Sequence, residues 1–366
     1  MLPKVIYFAS SYRIGLTALL TEKACTLIKK SGAEFLFISG EKEQLPGLFD
    51  KLKRNHINFL RIRGIDDHRD FRGLVRALSE HVKQFDPDMI HVQTNWQLAI
   101  VLAVKHLAKK KFLILYTIHG YRHNFKIRSL IAKYLISFSL VLFADKVFAP
   151  STFLKNQFRI LNRKIEILYL GVDKTFFTDY VPTSFTTTKR IVFPGEFRDG
   201  KNQDMLIRVI RKYIDETGDE DVELCLPGKG KNLKTCKALS KKYGLEQKVF
   251  FPGVLNRKDM LKCYLQSHLV VIPTNIETFG LCIAEAFVLG RVVTSRRVGV
   301  AEDIITHRET GFLFNTEKEL LNILLEILTD TDTCLYVSQN AYKAGNMFLW
   351  DNICNKYFEI INAINP

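Results

Sequence analysis

The sequence lacks the features that stabilise small secreted proteins or carry a chain across a membrane. Its seven cysteines are scattered and never spaced as CxxC, which argues against a disulfide framework and against a zinc site. The longest apolar run, from Tyr134 to Ala144, is far shorter than the roughly 20 residues of a transmembrane helix. The opening residues, MLPKVIYFAS, lack the basic and apolar segments of a signal peptide and predict a first strand. We therefore expect a cytoplasmic protein.

Acidic residues are scarce in the first half of the chain. Residues 1–175 contain 29 Lys and Arg against 14 Asp and Glu, whereas residues 176–366 contain 24 of each kind. The formal charge of +15 therefore lies entirely in the N-terminal half. Such a bias predicts an anionic partner for that half, such as phospholipid, nucleic acid or a phosphorylated substrate. Solubility alone is the alternative explanation.

Short β-rich runs alternate with helical patterns along the whole chain, as in KVIYFA, EFLFIS and DMIHVQ and the helical spacing over residues 71–85. A polar segment without periodicity, residues 178–190, interrupts this alternation and predicts a linker. Four strands with similar endings follow it: RIVFPG, VELCLPG, KVFFPG and LVVIPT. The pattern predicts two α/β domains with Rossmann-like parallel sheets facing a central cleft. The ligand site is expected at the C-terminal strand ends.

The densest group of polar residues lies in the segment 273–290, which reads as a strand end, a glycine turn and a helix. If the helix begins near Phe279, the N–H groups of its first turn form an anion site suited to a diphosphate. Glu285 then accepts hydrogen bonds from two vicinal hydroxyls, such as those of a ribose, and Glu277 reaches a sugar beyond the diphosphate. The alternative is a helix-dipole role for Glu277 and a solvated Glu285. The donor-binding residues predicted here are Thr278, Phe279, Gly280, Leu281 and Glu285.

This segment resembles the retaining GT-B glycosyltransferases of family 4. The family pattern is a strand ending in proline and a small hydroxyl residue, then E-x-F-G, E-A and G-x-V-V. It is matched by IPT, Glu277-Thr-Phe-Gly280, Glu285-Ala286 and Gly290-Arg-Val-Val293, and the resemblance extends over most of the chain. It implies transfer of a sugar from a nucleotide sugar, UDP-linked by preference and GDP-linked as the alternative, to an acceptor hydroxyl. It also implies retention of anomeric configuration, no metal and no cofactor beyond the nucleotide-sugar co-substrate.

Two further loops of the second half match the family. After the strand RIVFPG, the resemblance assigns Arg198 and Lys201 to the leaving diphosphate. Glu196 stands where the family often has arginine, so the arginine role passes to Arg198. The resemblance also places Gly228, in a G-x-G turn, near the nucleotide base. The alternatives are exposed turn cations and a tight turn that explains the glycines.

The first half contributes His119 and Gly15. His119 ends the strand LILYTI and resembles the family's histidine that hydrogen-bonds the donor sugar. Gly15 lies in the first βα turn, where family members bring backbone close to the phosphates, although the family's paired glycines are absent. His91 and Asp173 are better interpreted as structural residues. The predicted catalytic residues are His119, Glu277, Arg198 and Lys201, with no metal ligands.

The resemblance divides the chain into an acceptor-side domain, residues 1–175, a nucleotide-sugar domain, residues 176–345, and a terminal helix, residues 346–366, that crosses back to the first domain. Basic clusters at 51–76, 109–111 and 122–133 predict peripheral binding to the anionic inner face of a membrane. The expected acceptor is a lipid-linked glycan or a polysaccharide of the cell surface.

Two other functions stay open. A basic nucleic-acid-binding protein would account for the charge, but no recognisable motif supports it, and it leaves Glu277, Glu285 and His119 unexplained. We therefore expect no nucleic-acid partner. A same-fold nucleotide-sugar epimerase or hydrolase is the closer alternative. It is distinguished by whether loss of the sugar requires an added acceptor.

Overall fold

The computed structural model describes residues 3–8, 26, 33–40, 50, 53, 58–65, 70–119, 141–158, 163–182 and 188–364. The chain divides into two compact units. Unit 1 comprises Met1–Pro150, Leu154–Gly171 and Trp350–Pro366, and unit 2 comprises Ser151–Phe153 and Val172–Leu349. Each unit is built on a parallel sheet, which confirms the prediction of two Rossmann-like α/β domains.

The described strands and helices alternate through both units. The strands are β1 Lys4–Phe8, β2 Glu34–Ser39, β3 Asn58–Arg61, β4 Met89–Val92, β5 Leu113–Thr117, β6 Lys146–Ala149, β7 Ile165–Ile167, β8 Lys189–Val192, β9 Val222–Cys225, β10 Val249–Phe250, β11 Leu269–Ile272, β12 Val292–Ser295 and β13 Phe312–Leu313. The helices are α1 Phe71–Phe85, α2 Asn95–Ala108, α3 Thr152–Asn156, α4 Gln203–Thr217, α5 Leu233–Lys242, α6 Arg257–Leu265, α7 Leu281–Val288, α8 Ala301–Ile304, α9 Glu317–Ile327, α10 Thr331–Gly345 and α11 Trp350–Ile364.

Within its described residues, unit 1 forms a seven-stranded sheet in the order β3-β2-β1-β4-β5-β6-β7. Its core is an apolar cluster that the strands share with α1 and α2. Helix α1 covers the residues predicted from the sequence, because its apolar positions recur at helical spacing and Asp70 caps its first turn by accepting from the Gly73 N–H at 2.9 Å.

The terminal helix α11 is anchored to the sheet of unit 1 by a buried polar contact. His91 lies 3.0 Å from the Tyr357 hydroxyl through Nδ1 and 2.7 Å from the Thr117 hydroxyl through Nε2. At the start of the helix, Trp350 packs so closely on Gly171 that an added Cβ there would lie 2.3 Å from the indole. The interpretation of His91 as a structural residue is therefore confirmed.

Unit 2 forms a six-stranded parallel sheet over its described residues, in the order β10-β9-β8-β11-β12-β13. The direction of strand succession reverses between β8 and β11, which makes this pair the topological switch point of the sheet. In open parallel sheets, ligands bind outside the carboxyl ends of the strands at such a point. The loops that follow β9, β8 and β11 leave the sheet side by side at that edge, and they contain the predicted donor residues of the second half.

Candidate active site

An ion pair between Lys201 and Glu277 joins the loops after β8 and β11. The Lys201 Nζ donates to Glu277 Oε2 at 2.5 Å, and the two side chains are only 11% and 19% exposed. The ammonium also lies 5.9 Å from the centroid of the Phe193 ring. Because both charges are largely withdrawn from water, removing either leaves the other poorly compensated. Lys201 and Glu277, which were predicted separately as catalytic, therefore form one ion pair at the switch point.

The same two loops are held together by hydrogen bonds that the sequence did not predict. Asn202, in a left-handed conformation, donates to the Pro273 carbonyl and to Asn275 Oδ1, both at 2.8 Å. The Gly200 carbonyl accepts from the buried Thr274 hydroxyl at 3.0 Å and from the Asn275 N–H at 2.8 Å. These bonds fix the separation of the loops that carry Lys201 and Glu277.

Arg198 lies in a different environment from Lys201. Its Nε is 3.4 Å from Glu196 Oε2, and the two side chains are 47% and 67% exposed. An exposed pair of this kind contributes at most about 1 kcal/mol. The structure therefore does not bring the Arg198 side chain to the Lys201–Glu277 pair, but little free energy opposes its turning toward an anion.

Helix α7 begins two residues later than the sequence predicted. Gly280 precedes it with a φ of 87°, a conformation outside the helix that glycine adopts readily. The Gly280 carbonyl accepts the first intrahelical bond from the Ile283 N–H at 2.9 Å, so the N–H groups of Leu281 and Cys282 have no acceptor within the helix. Those groups fit the predicted anion site.

The two residues just before α7 make structural contacts. Phe279 is 3% exposed and meets the Phe348 ring edge-on at a centroid distance of 6.0 Å. The Thr278 carbonyl accepts from the Ser151 hydroxyl at 2.6 Å. A donor contact from Phe279 is therefore restricted to its backbone, which the prediction of donor-binding residues had not distinguished.

Glu285 is held by a tyrosine that the sequence did not reveal. Its Oε2 accepts from the hydroxyl of the fully buried Tyr264 at 2.8 Å. Burial raises the pKa of Glu285 to about 7, although the neighbouring Arg257 guanidinium acts in the opposite direction. Glu285 is thus partly buried and hydrogen-bonded rather than fully solvated. Arg257 in turn pairs with Asp173, whose side chain accepts from the Thr175 N–H at 2.9 Å and caps a turn as interpreted.

Gly228 is required by the contact between two loops. Its φ is 147°, and an added Cβ would lie 1.9 Å from the Gly195 carbonyl oxygen in the loop after β8. The Gly195 N–H donates to the Pro227 carbonyl at 2.9 Å, and the Gly228 N–H donates to the Gly253 carbonyl at 2.7 Å. Close backbone packing, rather than a tight turn alone, explains this glycine.

In unit 1, His119 is oriented by a glutamine. Its Nε2 lies 2.8 Å from Oε1 of Gln93, a residue only 3% exposed. The Gln93 N–H donates to Gln97 Oε1 at 2.9 Å, which ties the end of β4 to α2. The sequence singled out His119 but not Gln93, whose only signal is its place directly after a buried strand.

Several predictions concern residues outside the described part of the chain. Gly15 and the basic cluster at 122–133 lie there. Among the described residues, no group of three His, Cys, Asp or Glu side chains could hold a metal ion. The requirement for no metal stays a prediction. Within the same residues, no helix has the length and apolar composition needed to cross a membrane.

Two protein families match the chain over most of its length. The family described as Glycosyltransferase Family 4 matches residues 31–176. The family described as Glycosyl transferases group 1 matches residues 179–344. The first match thus ends at residue 176 and the second begins at residue 179.

Curated relatives are similar at modest identity. An uncharacterized glycosyltransferase of Bacillus subtilis (strain 168) is 26% identical over 268 residues, which are 71% of this chain and 72% of the relative. An uncharacterized glycosyltransferase of Methanocaldococcus jannaschii is 28% identical over 171 residues, which are 46% of this chain and 43% of the relative. The second match thus spans less than half of the archaeal protein.

Solved structures share the fold. HepE of Anabaena, in complex with UDP and glucose, superposes with a TM-score of 0.76 at 20% identity and covers 99% of this chain and 100% of its own. At that identity the likeness establishes the architecture of the two units and nothing about the substrates of this chain.

Proposed function

Because the chain belongs to glycosyltransferase family 4 and has the GT-B fold, we propose that it transfers a sugar from a nucleotide sugar to an acceptor hydroxyl. The proposed reaction retains the anomeric configuration and needs no metal. The observation that carries the donor half is the Lys201–Glu277 ion pair, which lies at the switch point of the unit 2 sheet. A lysine withdrawn from water at this place is suited to a diphosphate leaving group.

Charge development in the reaction explains the proposed residue roles. When the bond between the sugar and the nucleoside diphosphate breaks, negative charge accumulates on the diphosphate oxygens. The Lys201 ammonium and the N–H groups at the start of α7 would stabilise that charge, because they are in place before the reaction begins. Arg198 would add a second cation by leaving Glu196. An oxygen of the departing diphosphate would then accept the proton of the incoming hydroxyl.

The other proposed contacts concern the donor's sugars. Glu285 would accept hydrogen bonds from the ribose hydroxyls, with Tyr264 holding its carboxylate in place. Glu277, held by Lys201, would contact the transferred sugar. For His119, which Gln93 orients in unit 1, a contact with the donor sugar stays the prediction made from the resemblance. The presence of UDP and glucose in the Anabaena structure supports UDP over GDP as the nucleotide.

A surface of unit 1 supports a membrane-bound or lipid-linked acceptor. We define the basic-apolar surface as Leu107, Lys109, Lys111, Leu142 and Phe143. Its three apolar side chains are 66%, 48% and 65% exposed, and both lysines are exposed as well. Exposed apolar side chains and exposed lysines in the same unit are features of proteins that bind an anionic lipid interface.

Nucleotide binding and acceptor dependence test this proposal. We expect UDP to raise the melting temperature of the protein more than GDP does, because a bound ligand stabilises the native state by mass action. We further expect release of UDP from its preferred UDP-sugar to require an added acceptor. Failure of every nucleotide to shift the melting temperature would contradict the donor site. Equal UDP release without acceptor would instead favour the hydrolase or epimerase.

A further inference from the structure

Two cysteines of unit 2 lie close enough to react with each other. Cys225 is the last residue of β9 and Cys263 lies near the end of α6, 38 residues later in the chain. Their sulfur atoms are 3.7 Å apart, and both residues are partly exposed free thiols. A disulfide needs the two sulfurs at about 2.05 Å, a change that side-chain rotation and a small shift of α6 would provide.

The pair is accessible to a small oxidant. Both cysteines line a cavity of about 440 Å³, whose wall also includes Arg190, Phe250 and Pro252. Phe250 is itself 41% exposed, so this cavity lies at the surface of unit 2. The position differs from that of Cys236, a thiol of the same unit that is only 3% exposed.

The contact between the two thiols and a nearby cation favour loss of one proton from the pair. A hydrogen bond between the two sulfurs stabilises a thiolate on one of them, and the positive charge of Arg190 acts to lower the pKa of both thiols. Because the thiolate is the attacking species in thiol exchange, either cysteine can attack first, and the other is then the resolving thiol.

Each cysteine adjoins a residue of the proposed donor site. Cys225 is followed two residues later by Pro227 and then by Gly228, in the loop packed against Gly195. Cys263 directly precedes Tyr264, whose hydroxyl holds the Glu285 carboxylate. A covalent bond between β9 and α6 would reach Tyr264 through the small shift of α6 that accompanies closure of the sulfur separation.

We propose that Cys225 and Cys263 are a reversible oxidation site, which a low-molecular-weight disulfide converts to an intramolecular disulfide. The thiolate of one cysteine attacks one sulfur of the small disulfide, forms a mixed disulfide and releases the first small thiolate. The other cysteine loses its proton to solvent and attacks the sulfur of the first cysteine, which releases the second small thiolate. The two protein thiols are oxidised by two electrons, and the small disulfide is reduced to two thiols.

The consequence for the enzyme is weaker donor binding in the oxidised form, and this part rests on the proposed function. Displacement of Tyr264 removes the partner that orients Glu285 toward the ribose. We expect UDP to bind the oxidised protein about tenfold more weakly than the reduced protein, a coupling of ordinary size for two linked sites. Reduction with dithiothreitol should restore the original affinity.

Oxidised glutathione provides the test on the full chain. After incubation, we expect the number of free thiols to fall by two and non-reducing peptide mapping to find Cys225 linked to Cys263. Cys225→Ser and Cys263→Ser should each abolish the link, and Cys236→Ser should leave it intact. The peptide map of the wild-type protein alone can contradict the proposed oxidation site. It does so if the linked peptide is absent or if the links join other cysteines instead.

Calorimetry with UDP on the same oxidised and reduced samples tests the consequence. Equal affinities in a sample shown to carry the link would overturn the coupling to the donor site. If reduced protein binds no UDP, the proposed function fails while the peptide map still decides the oxidation site. Cys225→Ser protein, treated with oxidised glutathione and then desalted, cannot form the link. Its affinity for UDP should therefore be nearer to that of the reduced protein than the affinity of the linked wild type is.

Discussion

Lys201 is paired with Glu277, so a bound diphosphate would have to share the lysine ammonium with that carboxylate. Its ammonium is 2.5 Å from the Glu277 carboxylate and largely withdrawn from water. Each of the two charges is compensated by the other before a donor binds. A diphosphate would add negative charge to the same ammonium, and Glu277 would then need further partners, which sugar hydroxyls can provide as donors.

Glu285 supplies a prediction in which stability and binding change in opposite directions. Its pKa is about 7 in the folded protein against an ordinary value of 4.5, so the folded state binds its proton more tightly than the unfolded chain. This stabilisation is present at low pH and is lost as pH rises toward 7. Glutamine does not ionise, and it still accepts from Tyr264. We therefore expect Glu285→Gln to raise the free energy of unfolding at pH 8 by about 1 kcal/mol or more.

The same variant should bind UDP about tenfold more weakly, because a neutral amide offers one acceptor oxygen where a carboxylate offers two. Denaturant unfolding at pH 5 and pH 8, with calorimetry at pH 8, measures both effects. The stability difference should shrink toward pH 5. Glu309→Gln, at an exposed glutamate of unit 2, is the matched control. A less stable Glu285→Gln at pH 8, or unchanged UDP affinity, would count against the ribose role.

At the scale of single residues, the sequence predicted candidate site residues where they belong to a motif. It did not predict which side chains those residues contact. The order of Glu277 and Glu285 was sufficient to predict both as donor ligands, and that role stays a prediction. Their partners Lys201 and Tyr264 lie 76 and 21 residues away in the sequence, and which side chains meet depends on how β8, β11 and α6 are arranged in the fold. Sequence spacing does not encode that arrangement.

At the scale of elements, the bounds of helices were predicted with unequal precision. The terminal helix, which the resemblance places at 346–366, is observed as α11 Trp350–Ile364. Helix α1 matches the range predicted from its apolar periodicity. Helix α7 starts at Leu281 rather than near Phe279, because Gly280 has a positive φ and lies outside the helix. The hydrogen bonds between loops could not be predicted, since they join neighbouring strands that are distant in sequence.

Gly228→Ala tests the importance of loop packing for the site. A methyl group there would lie 1.9 Å from the Gly195 carbonyl oxygen, so the loops after β8 and β9 have to separate. We expect a loss of about 1–3 kcal/mol in stability together with weaker UDP binding. Gly218→Ala is the control, because Gly218 also has a positive φ of 69° but has no neighbour within 4 Å of the added Cβ.

Urea unfolding and calorimetry compare these two alanine variants. Gly218→Ala should show only the cost of its backbone conformation and bind UDP as the wild type does. If Gly228→Ala is no more harmful than Gly218→Ala in both measurements, close packing of the loops does not support the donor site.

At the scale of the whole molecule, charge and fold give different kinds of information. The alternation of strands and helices was sufficient to predict two parallel-sheet units, because each pattern has its own period. The charge of +15 could be assigned to the first half from composition alone, whereas its surface arrangement could not. In the structure, Lys110 pairs with Asp86, so only Lys109 and Lys111 of that cluster belong to the basic-apolar surface.

That surface predicts salt-sensitive binding to anionic vesicles. We expect Lys109→Glu with Lys111→Glu to weaken sedimentation with phosphatidylglycerol vesicles at least about tenfold, since each lysine contributes about 1 kcal/mol near such a surface. Lys234→Glu with Lys241→Glu makes the same charge change on unit 2 and should have less effect. Binding that prefers nucleic acid over vesicles at physiological salt would instead favour the nucleic-acid alternative.

The central claim is that Lys201 binds the donor's diphosphate, and calorimetric titration of UDP into matched variants tests it most directly. The double variant Lys201→Ala with Glu277→Gln removes the ammonium without leaving an uncompensated carboxylate, so we expect it to fold. The melting temperature of each variant verifies that it is folded. Lys231→Ala, which removes an exposed lysine paired with Asp199, is the control.

We predict that the control binds UDP as the wild type does. Folded Lys201→Ala, alone or with Glu277→Gln, should bind it at least about tenfold more weakly, because a charge-assisted hydrogen bond is lost. Wild-type affinity for UDP in a folded protein without the Lys201 ammonium would contradict the account.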